Sequence, residues 1–172
     1  HAYKSWLMPQ GKISSAHNSE QDLSNEIILK LMTRAIELAK ECGEDVPVAS
    51  LVYDLDTNEI VGEGKNERVL KMNGTKHAEI VAIENACNTK KAWRLDNCVI
   101  FSTVEPCMMC AGAIQQSRIK KVYFGARDEK MGCLVSKIDI NSIDFFHSFE
   151  FEEGILHKEC AQLMKAFFKN KR

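Results

Sequence analysis

Two short stretches constrain this chain more than anything else in it: His77-Ala78-Glu79 and Pro106-Cys107-Met108-Met109-Cys110. Together they supply one imidazole, two thiolates at C-x-x-C spacing, and a carboxylate two residues from the imidazole. This is the donor set of a zinc site that keeps one coordination position open. Any fold the chain adopts must bring these segments within metal-ligand reach of one another. On a helix, Cys107 and Cys110 are three residues apart and share a face, and Pro106 suits the first helical turn, where its missing donor is not needed. Unpaired N–H groups and the positive end of the helix dipole there favour thiolate over thiol. A second helix beginning near His77 aims its own start at the same ion. His77 and Glu79 do not point the same way on a helix. The imidazole can therefore bind metal while the carboxylate leans over the open position as a proton carrier.

A structural zinc would need a fourth protein ligand. Cys87, ten residues along the helix from His77, is roughly 15 Å away at 1.5 Å per residue. Cys98 is separated from Cys107 by the length of a strand, on the order of 20 Å. Neither should reach. Cys133 and His147 stay open as candidates, and with either the site would close and become non-catalytic.

Around these motifs the chain reads as a scaffold of alternating elements. From Leu23, apolar residues at Ile27, Ile28, Leu31, Ala35, Leu38 and Ala39 recur at helical spacing, with Gly43 as a stop. Val46 to Leu55, the turn chemistry of Asp54 to Asn58, and Ile60-Val61 predict a hairpin. Gly62 to Gly74 lacks periodicity and reads as a loop leading to the helix at His77. Strands are expected at Asn97 to Val104, Lys120 to Gly125 and Phe149 to Phe151, with helices at Cys107 to Gln116, near Ile138 to Phe146, and at Leu156 to Phe168. This alternation implies an α/β protein with a mixed sheet covered by helices on both faces. Residues 1–19 contain no acid and show no periodicity; they read as tag, linker or leader, leaving 20–172 as a single domain.

Composition narrows the setting. Seven cysteines, an odd number, in a chain of 172 residues argue against a secreted disulfide framework and for a reducing compartment. No apolar run approaches the roughly 18 residues of a membrane span, so no membrane partner is expected and the cytoplasm, or an organellar matrix or stroma, is the expected location. The net charge of -1 is uninformative about partners, but Arg118, Lys120, Lys121, Arg127, Lys130 and Lys137 face only Asp128 and Glu129 within residues 118–137. One basic face is expected there.

H-x-E with P-C-x-x-C is also the signature of the zinc-dependent nucleobase deaminases, in which the Glu acts as acid and base without binding metal. Beyond it, Val46-Pro47-Val48, Gly62-Glu63-Gly64 followed by Asn66, and the run Thr103 to Ile114 resemble the bacterial-type tRNA-specific adenosine deaminases. So do Ser117-Arg118-Ile119 and Phe124-Gly125-Ala126-Arg127-Asp128, which separate that family from guanine, cytosine and cytidine deaminases. The resemblance implies a three-layer α-β-α cytidine-deaminase-like fold around a mixed five-stranded sheet. It also implies one zinc ion per subunit, held by His77, Cys107 and Cys110, with Glu79 as proton carrier. The implied reaction turns adenosine into inosine at the first anticodon position of tRNA. Asn66 would hydrogen-bond the flipped base, Asp128 and Lys130 would lie near the RNA, and the anticodon stem-loop would contact both subunits of a homodimer. Val48-Ala49-Ser50, Gly74-Thr75-Lys76, Gln116 and Gly132-Cys133-Leu134-Val135-Ser136 depart from the family's usual residues and bear on base and tRNA selectivity. The competing readings are a deaminase of free guanine or cytosine, and a non-catalytic RNA-binding subunit with structural zinc.

Overall fold

The structure, a computed structural model, describes residues 23–171. The expectation for residues 1–19 lies outside the described residues. The first helix, α1 (Asn25–Ala39), starts at Ser24, whose hydroxyl accepts from the Ile27 N–H, and it buries the stripe Ile28, Leu31, Met32, Ala35, Ile36 and Ala39. The hairpin expected next is present as β1 (Ala49–Asp54) and β2 (Glu59–Lys65), followed by a single helical turn, α2 (Arg68–Lys71), and by α3 (Ala78–Lys90). Then come β3 (Cys98–Val104), α4 (Met108–Gln116), β4 (Lys121–Ala126), β5 (Glu150–Glu152) and α5 (His157–Asn170).

The sheet order is β2-β1-β3-β4-β5. β1 is antiparallel to both β2 and β3, whereas β3, β4 and β5 are parallel, which makes the sheet mixed and five-stranded as expected. Alternation along the strands sorts side chains into two cores. Val52, Ile100, Val122 and Phe124 join Ala82, Ala86, Ala111 and Ile114 of α3 and α4 on one face. Leu51, Tyr53, Val99, Phe101 and Tyr123 meet α1 and Cys160 of α5 on the other. Phe101 and Tyr123, paired in register, stack with centroids 4.7 Å apart. The result is three layers, α-β-α.

Strand direction places the functional segments. β2 and β3 are each antiparallel to β1 and so run the same way, and β4 is parallel to β3. The chain therefore leaves the carboxyl ends of β2, β3 and β4 at one edge of the sheet, where α/β proteins characteristically build their sites. From that edge emerge the loop to His77, the Glu105-Pro106-Cys107 segment and the loop 127–137.

Three local expectations need correction. Gly62 to Lys65 is strand, not loop. Its glycines break the hydrophobic alternation because α3 lies directly on them: a Cβ on Gly62 would sit 2.4 Å from the Ala82 carbonyl oxygen, and one on Gly64 would sit 2.4 Å from the Ala82 nitrogen. Near Ile138 to Phe146 only a 3-10 turn forms, at Ile140–Ser142; Ile143, Phe145 and Phe146 are exposed, so the apolar residues there supply no buried helical stripe. Pro106 stands before α4 and not in its first turn, because Cys107 is extended and forms a bridge with Gly132.

Candidate active site

His77 and Cys107 occupy equivalent places, each the residue immediately before a helix, with φ,ψ of -70°,153° and -76°,178°. Ser, Thr, Asp or Asn usually stand there and use their side chains to cap the helix. Neither His77 nor Cys107 does so; their side chains turn toward each other. Cys110 follows in the first turn of α4 and is fully buried. The His77 Nδ1 lies 3.5 Å from the Sγ of Cys107 and 3.5 Å from the Sγ of Cys110, and the three donor atoms all fall within 4.8 Å of one another.

These distances test the donor set for size. Bonds of about 2.3 Å to sulfur and 2.0–2.1 Å to nitrogen at the tetrahedral angle require an S···N edge of about 3.6 Å, against the 3.5 Å found. The residues fit a tetrahedral zinc ion with three protein donors. The two candidates for a fourth are placed elsewhere among the described residues. The Cys133 thiol is buried against the Met131 carbonyl, and His147 Nε2 meets the Ile119 carbonyl oxygen at 3.1 Å.

Glu79, two residues into the motif, is 4 % exposed. Burial pushes its carboxyl up to about 7, with the negative charge of Cys107 adding to the rise. A group poised there can both take and give a proton near neutrality. The hydrogen bond with Cys110, reinforced by His77, brings Cys107 down to about 4 against the opposing effect of burial. The same bond together with burial raises Cys110. His77 is raised in turn by its hydrogen bond with Cys107.

Asn66 precedes the loop that ends at His77, and Asp128 lies on a loop bonded to Glu105, two residues before Cys107. The Glu67 N–H donates to the Lys76 carbonyl at 3.0 Å, closing the neck of the 67–76 loop, so Asn66 and His77 flank that neck. Asn66 Nδ2 donates to the Val46 carbonyl at 3.2 Å, and the side chain lines a cavity of about 330 Å³ with Val46, Arg68 and Asn73. Asp128 spends its Oδ1 on its own turn, accepting from the N–H groups of Lys130 and Met131, and Lys130 is exposed. The single basic face is broken up. Arg127 pairs with Glu153 at 2.7 Å, Lys121 with Glu152 at 3.6 Å, and the Arg118 guanidinium stacks over Phe146 while donating to the Gln115 carbonyl.

Sequence reasoning missed Glu105. It is 2 % exposed and accepts hydrogen bonds from four backbone N–H groups and the Ser136 hydroxyl. Burial would raise its carboxyl, yet the Ser136 hydroxyl and the backbone donors hold it below the usual carboxylate range. The available signal was an acid between a largely apolar strand and Pro-Cys, a position expected to offer no water to solvate it.

The MafB19-like deaminase family profile matches residues 23–172. The tRNA-specific adenosine deaminase of Haemophilus influenzae is 39% identical over 146 residues, covering 83% of this chain and 84% of that protein. The tRNA-specific adenosine deaminase of Bacillus subtilis is 35% identical over 149 residues, 86% of this chain and 91% of that protein. A solved structure from work on A-to-I editing by tRNA:A34 deaminases at the wobble position of transfer RNA superposes with a TM-score of 0.74 at 30% identity. It covers 78% of this chain and 98% of its own.

Proposed function

The chain belongs to the family of tRNA-specific adenosine deaminases, and from that premise we propose that it hydrolyses adenosine to inosine at the wobble position of tRNA, releasing ammonia. One observation carries the reading: an imidazole and two thiols converge at tetrahedral spacing beside a buried carboxylate. His77, Cys107 and Cys110 hold one zinc ion per chain, which when bound supplies the Lewis acidity that makes water nucleophilic near neutral pH.

The protein's own groups do the rest. Glu79 takes a proton from the attacking water and passes protons to the ring nitrogen and then to the departing ammonia. Its burial suits both directions of transfer. Asn66, its amide fixed by the Val46 carbonyl, reads the base; the loop bearing Asp128 and Lys130 meets the anticodon stem-loop. Residues 20–172 act as one deaminase domain. Exposed apolar side chains at Val69, Leu70 and Met72, and at Met108 and Met109 beside the ligand cysteines, support a homodimer whose contact lies close to the site. Among the described residues no helix is long and apolar enough to cross a membrane. All seven cysteines are free, which supports a reducing, cytoplasmic setting.

The test uses the zinc-loaded protein on a panel of tRNAs and isolated anticodon stem-loops, beside free adenosine, guanine and cytosine. Inosine confined to the first anticodon position, with one zinc per chain by elemental analysis, is the expected result. Turnover of a free base alone would replace the tRNA reading with base salvage.

A further inference from the structure

The loop 127–137 contains neither helix nor strand, yet it is bonded tightly to the segment that precedes α4. The Cys133 N–H donates to the Pro106 carbonyl at 2.9 Å, and Gly132 bridges to Cys107. At the middle of this contact lies the Glu105 carboxylate. Its Oε1 accepts from the Asp128 N–H at 3.1 Å and from the Ser136 hydroxyl. Its Oε2 accepts from the N–H groups of Leu134, Val135 and Ser136 at 3.1, 2.8 and 3.0 Å. No cation forms an ion pair with it among the described residues. A buried anion is thus solvated by loop donors alone, through charge-assisted bonds of the strong kind.

Gly132 is the complement of this arrangement. A Cβ there would fall 2.2 Å from the Glu105 Cδ and 2.4 Å from both carboxylate oxygens, so the carboxylate rests directly on the glycine backbone. All five donors belong to the loop and none to α4. Cys110 is held by the helix, and Cys107, besides its bridge to Gly132, by its carbonyl's bond to the Ala111 N–H at 2.8 Å, a bond in which Glu105 takes no part. The chain of bonds from Glu105 leads outward instead. It runs to the Asp128 N–H, and from Asp128 Oδ1 to the N–H of Lys130 at 3.2 Å.

We infer that Glu105 is a positioning residue for the RNA: by holding the 127–137 loop against the Cys107 segment it sets where Asp128 and Lys130 meet the anticodon stem-loop, without touching the reacting atoms. The inference rests on the tRNA reading above. It assigns Glu105 to substrate engagement and leaves the chemical step to Glu79.

The experiment is steady-state inosine formation on an anticodon stem-loop, with zinc content measured in parallel, for wild type, Glu105→Gln and Gly132→Ala. Glutamine keeps the shape but turns one acceptor into a donor. The Ser136 hydroxyl can reverse its bond; a backbone N–H cannot, so at least one loop N–H loses its partner. Gly132→Ala displaces the same carboxylate from the opposite side, and carries the test alone if Glu105→Gln does not fold. The expected result is a KM raised on the order of ten- to a hundred-fold, with kcat within about three-fold and zinc content unchanged. Unchanged KM in both variants would overturn the inference. So would a loss of zinc together with kcat, which would assign Glu105 to the metal centre. A wild-type protein that turns over a free base but no RNA would instead remove the tRNA reading, and this inference with it.

Discussion

Replacing Gly64 by alanine should damage catalysis more than stability, and the size of each effect follows from the packing of α3 on β2. The new Cβ would stand 2.4 Å from the Ala82 nitrogen and 2.5 Å from the Ala78 carbonyl oxygen, where ordinary contact begins at 3.4 Å. Both obstacles are helix backbone, so no side chain can rotate away and α3 must retreat by roughly 1 Å. Overpacking of this kind costs about 1–3 kcal/mol, which for a chain of this size lowers Tm by roughly 3–9 °C. Ala78 is the first residue of α3, between His77 and Glu79, so the displacement falls on the site itself. A misplacement of about 1 Å in a positioned catalytic group costs on the order of 100-fold in rate, or about 3 kcal/mol of transition-state stabilisation. Gly62→Ala is the control. Its Cβ would press on the Ala82 oxygen and the Ala86 nitrogen, a turn or more further along the helix, so a similar Tm loss should accompany a smaller loss of kcat/KM. Thermal melts and inosine kinetics on an anticodon stem-loop, run side by side, decide the matter. Wild-type kcat/KM in Gly64→Ala would refute the reasoning, as would equal catalytic losses in the two variants.

Glu79→Gln preserves volume but removes the proposed proton carrier, so zinc content should stay at the wild-type level while kcat falls on the order of 10²–10⁴-fold; elemental analysis and single-turnover inosine formation check both halves. The acid limb of stability should depend on the buried Asp54, which pairs with Lys90. Burial alone would raise the Asp54 carboxyl, but hydrogen bonds from Lys90 and the Asp56 N–H pull it below its ordinary value. A carboxyl lowered in the folded state contributes stability that is complete above its unfolded value of about 3.9 and is lost as pH falls through the folded one. Lys90 is raised by the same contact, so its share is lost only as pH rises through the folded lysine's value. Urea titrations of Asp54→Asn across pH 2–5 should therefore show a flatter acid limb than wild type, and parallel limbs would count against the pairing.

Much of the site was legible because its chemistry is local. The ligand types, the three-residue spacing of the cysteines and the offset of Glu79 from His77 are properties of short segments, and the structure places all three donors within 4.8 Å of one another as those properties require. The layered fold was legible for a similar reason: periodicity along each segment records which face is buried. Expectations failed where an element answers to something distant. Gly62 to Lys65 did not read as strand because its glycines serve the helix lying on them, and the helix expected near Ile138 shrank to one 3-10 turn because, Ile140 apart, its apolar residues stay exposed. Nor could Lys121, Arg127 and Arg118 be known to be spent on Glu152, Glu153 and an aromatic ring.

Sequence by itself determined the three donor residues, the carboxylate beside them and most of the order of strands and helices, since each follows from residue type and spacing along the chain. Only the tertiary structure decided that the carboxyl ends of β2, β3 and β4 share one edge, that Cys133 and His147 stay outside the metal group, and that Glu105 binds the loop 127–137. Those outcomes depend on strand direction and on the approach of backbones remote in sequence. A hydrogen-bonding carboxylate at residue 105 carries no mark of which distant N–H groups will come to meet it.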